Sequence, residues 1–179
     1  MPFDGKPFDG IANLLASGVI RDELKVEGRE IVGIVIDADE TVIDSWNELR
    51  KRCEQQFPNI PEELPETGLI IKNADGQKLG IWIMPDNRSH GMLETFLLFL
   101  APNETDALVT LATDVCRQAK HLGAPYKEVH QMKAHIYSWL AWQDEPGRQL
   151  HQAVKEHILK ASSPYALPFV GWFRNLFEV

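Results

Sequence analysis

Residues 30–40 read EIVGIVIDADE, with five β-branched residues in the six positions 31–36. Branching at Cβ stiffens the side chain and favours extended backbone. A near-continuous apolar run of this length is the pattern of a strand buried on both faces of a parallel sheet. The run ends in acids. Ligands of open α/β sheets bind beyond the carboxyl ends of the strands, so Asp37, Asp39 and Glu40 are expected to face a ligand crevice. Two aspartates at i and i+2 can point the same way once the chain turns. Crowded carboxylates repel unless protonated or neutralised, and a hard cation such as Mg²⁺ supplies the missing charge. The competing reading is that Asp39 and Glu40 open the next helix, where anions suit the dipole.

Outward from this strand, the pattern organises the rest of the chain. Upstream, MPFDGKPFDG echoes itself and reads as a loop. Ile11, Leu14, Leu15 and Val19 follow at helical spacing with Asp9 as a cap, and Gly28 breaks the chain before the strand. Downstream, Trp46, Leu49, Cys53 and Phe57 mark an amphipathic helix over 44–57, capped by Asp44 or Ser45 and stopped by Pro58. A Pro/Glu-rich loop covers 58–67. In LIIKNADGQKLGIWIMP (69–85), two apolar runs flank Asp75-Gly76, a strong hairpin signal. After Gly91 the pattern is helical over 91–100, 104–121, 127–142, 147–161 and 168–177. The expected fold is one α/β domain over 1–179, with a small, mostly parallel sheet and flanking helices. Residues 1–10 read as a loop or a truncated end, 11–90 as its strand-bearing half and 91–179 as a helical C-terminal elaboration.

Composition narrows the function classes. The chain has 179 residues, 44% of them hydrophobic and 25% charged, which is ordinary for a globular domain. Cys53 and Cys116 lack a CxxC pairing and read as reduced core thiols. No apolar run approaches the roughly 18 residues of a membrane span. The N-terminus lacks the basic start and apolar middle of a signal peptide, so cytoplasmic residence is expected. Residues 1–66 hold 7 Lys/Arg against 15 Asp/Glu, and residues 67–179 hold 11 of each, so the whole net charge of −8 sits in the first third. That balance argues against a module binding duplex nonspecifically through a basic face. A nucleic-acid enzyme whose carboxylates are neutralised by metal ions stays open.

Two further blocks carry chemistry. Met84-Pro85-Asp86-Asn87, followed by Gly91 and Glu94, succeeds a predicted strand. Asp86 shares the edge of Asp37 if both strands run parallel, with a plain turn as the alternative. Glu94 falls early in the next helix, either facing the crevice or satisfying the dipole. On the helix 127–142, Val129, Met132, Ile136, Trp139 and Leu140 form the core stripe. Lys133 lies off that stripe, placed either to stabilise charge on a phosphoryl group or simply in solvent. His135 has no ligand partner at i+4 and reads as structural. Trp139, Trp142, Trp172, Phe173 and Phe177 suit packing better than base stacking.

The segment VIDADETVIDS (35–45) resembles the first motif of haloacid-dehalogenase-type phosphohydrolases. That likeness implies Asp37 as a nucleophile forming an aspartyl-phosphate and Asp39 as general acid/base, with Mg²⁺ between them. A longer likeness covers residues 34–40, 65–71, 80–94, 133–147 and 169–177. Those blocks (DADE, GIWxMPDNxxxGxLE, LAWQxEPG and FVGWFRNLF) resemble an uncharacterised bacterial family of the Toprim-like superfamily. It implies a metal-dependent phosphodiester hydrolase or nucleic-acid-processing protein, with Asp37, Asp39, Asp86 and Glu40 around Mg²⁺ or Mn²⁺ and with Lys133 and Glu94 catalytic. Toprim proteins place a strand ending in Glu ahead of the Asp-x-Asp strand, whereas only MPFDGKPFDG precedes the first helix here. Either Glu94 takes that role or the site is degenerate. The resemblance then implies a non-catalytic partner of an ATPase subunit, with oligomer formation open and no membrane partner.

Overall fold

The computed structural model describes residues 4–8, 11–16, 18–38, 41–102 and 106–179. In chain order the elements are α1 (Ile11–Leu14), α2 (Val19–Leu24), β1 (Ile31–Asp37), α3 (Val42–Cys53), β2 (Leu69–Lys72) and β3 (Lys78–Met84). There follow α4 (Leu93–Leu98), α5 (Asp106–His121), a 3₁₀ turn (Glu128–His130), α6 (Gln131–Leu140), α7 (Leu150–Lys155) and α8 (Leu167–Phe177). They make two compact units. One comprises residues up to His90 together with Gly171–Val179, and the other Gly91–Val170.

The first unit is built on a three-stranded sheet of order β1-β3-β2. β1 runs parallel to β3, from Ile31 beside Lys78 to Asp37 beside Met84. β2 is antiparallel to β3. The turn between them is held by Asn73, whose Oδ1 accepts the amides of Asp75 and Gln77 at 3.1 and 2.9 Å. The sheet is therefore mixed, not mostly parallel, because the hairpin supplies one of its two strand pairs. The continuous burial expected of residues 31–36 belongs instead to the central strand, β3, whose last six residues are all buried. β1 lies at an edge and alternates, with Ile34 and Ile36 inside and Val35 46% exposed.

One sheet face packs on a core containing Leu15, Ile20, Leu24, Trp46, Leu49, Cys53 and Phe57. Against Gly33 and Gly80 lies the end of α8. A Cβ on Gly33 would come 3.0 Å from Leu176 Cδ2, and one on Gly80 would come 2.8 Å from Leu176 Cδ1. The missing side chains are what admit Leu176. Trp172 is buried beside Trp82, with ring centroids 5.7 Å apart, and its Nε1 donates to the Leu69 carbonyl of β2 at 2.9 Å.

Helix boundaries follow local chemistry more closely than periodicity did. The helix expected from Ile11 through Val19 divides at Gly18, which has φ 95° and begins α2. α3 starts earlier than expected because Thr41 caps it, not Asp44 or Ser45. Its Oγ1 accepts the Asp44 amide at 3.0 Å and donates to the Asp44 carboxylate at 2.6 Å. The expected Asp9 cap lies outside the described residues.

In the second unit, Ala112 and Cys116 of α5 and Ile136, Trp139 and Leu140 of α6 are buried. Cys116 Sγ lies 3.3 Å from Ser138 Oγ, and the Tyr126 hydroxyl donates to the Cys116 carbonyl at 2.8 Å. The expected 127–142 helix begins as a 3₁₀ turn. Val129 therefore leaves the core stripe and is 62% exposed. Both cysteines are buried free thiols, and burial pushes Cys53 up to about 12. Among the described residues, no helix is long and apolar enough to cross a membrane.

Candidate functional site

Asp37 closes β1, half-buried, and the following Ala38 is fully buried. The Ser45 hydroxyl in the first turn of α3 donates to the Ala38 carbonyl at 2.9 Å, fixing the chain as it leaves the strand. Because β1 and β3 are parallel and Asp37 pairs with Met84, the carboxyl ends of both strands share one sheet edge. Asp86 follows two residues beyond the end of β3, so the condition on which its grouping with Asp37 rested is met. Asp39 and Glu40 lie outside the described residues.

The Asp86 carboxylate is occupied by its own loop. Its Oδ1 accepts the amides of Arg88 and Ser89 at 3.0 and 2.7 Å, and Oδ2 accepts the Ser89 hydroxyl at 3.1 Å. The next residue, Asn87, is buried with φ 64°, a left-handed conformation that asparagine tolerates better than most residues. Its amide donates to the Ile83 carbonyl, its Oδ1 accepts the Ile83 amide, and its Nδ2 donates to the Glu66 carbonyl. Asn87 thus terminates β3 and anchors the edge. Sequence reasoning read it only as part of a turn, although the Asp-Asn pair after a strand was the available signal.

In the second unit, Glu94 lies in the first turn of α4, with its side chain 10% exposed. Lys133 of α6 places its Nζ 3.5 Å from the Glu94 carboxylate. Two expected site residues are thus brought together as an ion pair. His135, one turn inside α6, is buried. Desolvation, with the charge of Arg117 second, holds its imidazole below the ordinary histidine range. Its Nε2 has no hydrogen-bond partner among the described residues. Trp139 and Trp172 are buried as packing residues, whereas Trp142 is 41% exposed.

Among the described residues, no group of three or more His, Cys, Asp or Glu side chains could hold a metal ion. A Mg²⁺ ion is commonly held by one or two carboxylates and completes its shell with water and phosphate oxygens. Asp37 and Asp86 follow the ends of parallel strands at one sheet edge, but the Asp86 carboxylate is already taken up by Arg88 and Ser89.

No curated protein and no solved structure matches the chain. The model of DUF3226, described as a protein of unknown function, matches residues 2–178. With nearly its whole length covered, the chain belongs to the DUF3226 family.

Proposed function

We propose that the chain is a cytoplasmic, Toprim-like protein that processes nucleic acid by Mg²⁺- or Mn²⁺-dependent phosphodiester hydrolysis or transfer. The observation that supports this reading is the parallel register of β1 and β3, which sets Asp37 beside Met84 with Asp86 two residues further on. Asp37 and Asp39 would hold the ion, with Asp86 beside them. When bound, such an ion polarises a phosphoryl oxygen and lowers the pKa of bound water. In the second unit Lys133 and Glu94 neutralise one another, and neither is given a role at the sheet edge.

Titration of MnCl₂ into the full chain tests the reading. Saturable binding is expected, weakened at least tenfold in Asp37→Asn and Asp39→Asn, together with metal-dependent cleavage of single-stranded DNA or RNA. Unchanged Mn²⁺ affinity in both variants refutes it. Beryllium fluoride trapping on Asp37 would favour the aspartyl-phosphate route instead.

A second reading, a non-catalytic partner of an ATPase subunit, is favoured by the hydrogen bonds that occupy Asp86 and by the Glu94–Lys133 pair. In that case the wild type binds no Mn²⁺.

A further inference from the structure

We infer that the first unit pairs with a second copy of this chain along the free edge of β1, antiparallel and two-fold, joining two three-stranded sheets into one. The backbone sets the terms. The Lys78 amide donates to the Glu30 carbonyl at 2.8 Å, and Ile31 stands beside Lys78 in the parallel register. Alternate residues of a strand bond to the same neighbour, so Val32, Ile34 and Ile36 continue the bonds to β3. Ile31, Gly33 and Val35 turn their N–H and C=O groups the other way, where no strand lies among the described residues. Gly33 and Val35 are exposed, so this edge is open.

Sheet edges invite pairing unless shortness, charge, proline or a bulge blunts them. β2, at the opposite edge, has four residues and ends in Lys72. β1 has seven, IVGIVID, with no proline and with its one charge at the end. Its register with β3 runs unbroken from Ile31 to Asp37, without a bulge. The strand is also complementary to itself. With the two-fold axis at Gly33, Ile31 comes opposite the second copy's Val35. Arg29, whose Nη groups hold Asp4 and Glu23, comes opposite the second copy's Asp37, and opposite charges at facing positions favour pairing. An axis one residue later, at Ile34, would set Asp37 against Ile31. The two Asp37 residues end eight positions apart along the seam, about 27 Å, so each keeps its own sheet edge.

The end of α8 supplies an independent argument for a second copy over any other strand. Leu176 is the nearest side chain to both Gly33 and Gly80, and Phe177 joins it at Gly33. This end of the helix therefore lies over the seam between β1 and β3, with Phe177 on the β1 side. Phe173 packs on Phe177 with ring centroids 4.7 Å apart, and both are half-buried. Strands lie about 4.8 Å apart, so two copies joined at β1 carry their α8 ends about 9.6 Å apart. That falls within the roughly 8–10 Å at which helices pack. Each Phe173–Phe177 pair then meets its counterpart across the axis and is covered. A strand from an unrelated protein would satisfy the backbone but bring no helix at this spacing.

Sedimentation equilibrium of the full chain in EDTA tests the pairing independently of any metal site. A mass of twice 20.3 kDa is expected, falling on dilution. Val35→Pro removes an N–H that β3 does not use, a position where an edge strand tolerates proline, and self-association should weaken at least tenfold. Val35→Lys places a charge at the edge and should act likewise, whereas Ile70→Lys on β2 should leave the dimer unchanged. Oxidation of Ile31→Cys/Val35→Cys reads the register. Facing Cα atoms about 5.5 Å apart can be bridged, so a covalent dimer is expected. Neither single variant should give one, because its two thiols stand about 13 Å apart along the seam. A wild type that is monomeric at every concentration overturns the proposal, as does a dimer that Val35→Pro and Val35→Lys leave intact. Equal cross-linking by a single variant overturns the axis at Gly33. The wild-type mass decides even if the proline variant fails to fold.

Discussion

His135 shows how burial alone gives a side chain a thermodynamic role. In the native state it is desolvated and faces the charge of Arg117, both of which disfavour the imidazolium. Unfolding restores an ordinary pKa near 6.5. As pH falls through that value, the unfolded chain takes up a proton that the native chain resists, so stability declines. Urea midpoints should therefore drop between pH 7.5 and pH 5.5, and the drop should shrink in His135→Gln; an equal drop in both proteins excludes this origin. Asp37 and Asp86 were legible as edge residues because each follows an aliphatic run, and strand ends place acids reliably. The local use of Asp86 was legible only as the alternative of a plain turn. It depends on the left-handed turn at Asn87, a conformation many Asp-Asn pairs never adopt.

At the scale of elements, the glycines under α8 decide whether the helix can dock on the sheet. Gly80→Ala would drive a methyl into Leu176 within buried packing, and overpacking of this kind costs about 1–3 kcal/mol. Leu176→Ala alone leaves a cavity and costs about 2–5 kcal/mol. The double variant should lose less than the sum of the two, because each change relieves the other; strictly additive losses in chemical denaturation would show that the contact does not form. The hairpin and the parallel crossover were readable from period and turn chemistry. Which strand would be central was not, since β1 and β3 are both aliphatic-rich. Partner number, a tertiary property, left β1 at the edge with Val35 facing outward. The split of the first helix at Gly18 likewise needed a backbone angle that spacing does not carry.

At the scale of the molecule, the first unit is discontinuous in sequence, being completed by Gly171–Val179. Trp172 and Leu176 bring their contacts to β2, β3 and β1 from that segment. A chain ending at residue 170 should lose the near-ultraviolet signal of Trp82 packing and the cooperative unfolding of the sheet; retention of both would show that the segment is dispensable. The division into a strand-bearing front and a helical back was visible in pattern. The return of the last helix to the front was not, because FVGWFRNLF carries the same apolar stripe whichever surface it covers.

The return of that segment also sets an order of events during synthesis. Residues 91–170 are contiguous and can pack as soon as they clear the ribosome, whereas the sheet must wait for residues 171–179. Until that segment has emerged, the nascent chain carries an uncovered glycine-lined sheet face, and Asp37 sits on a half-built scaffold. Any chemistry at that edge must wait for the segment to join the sheet.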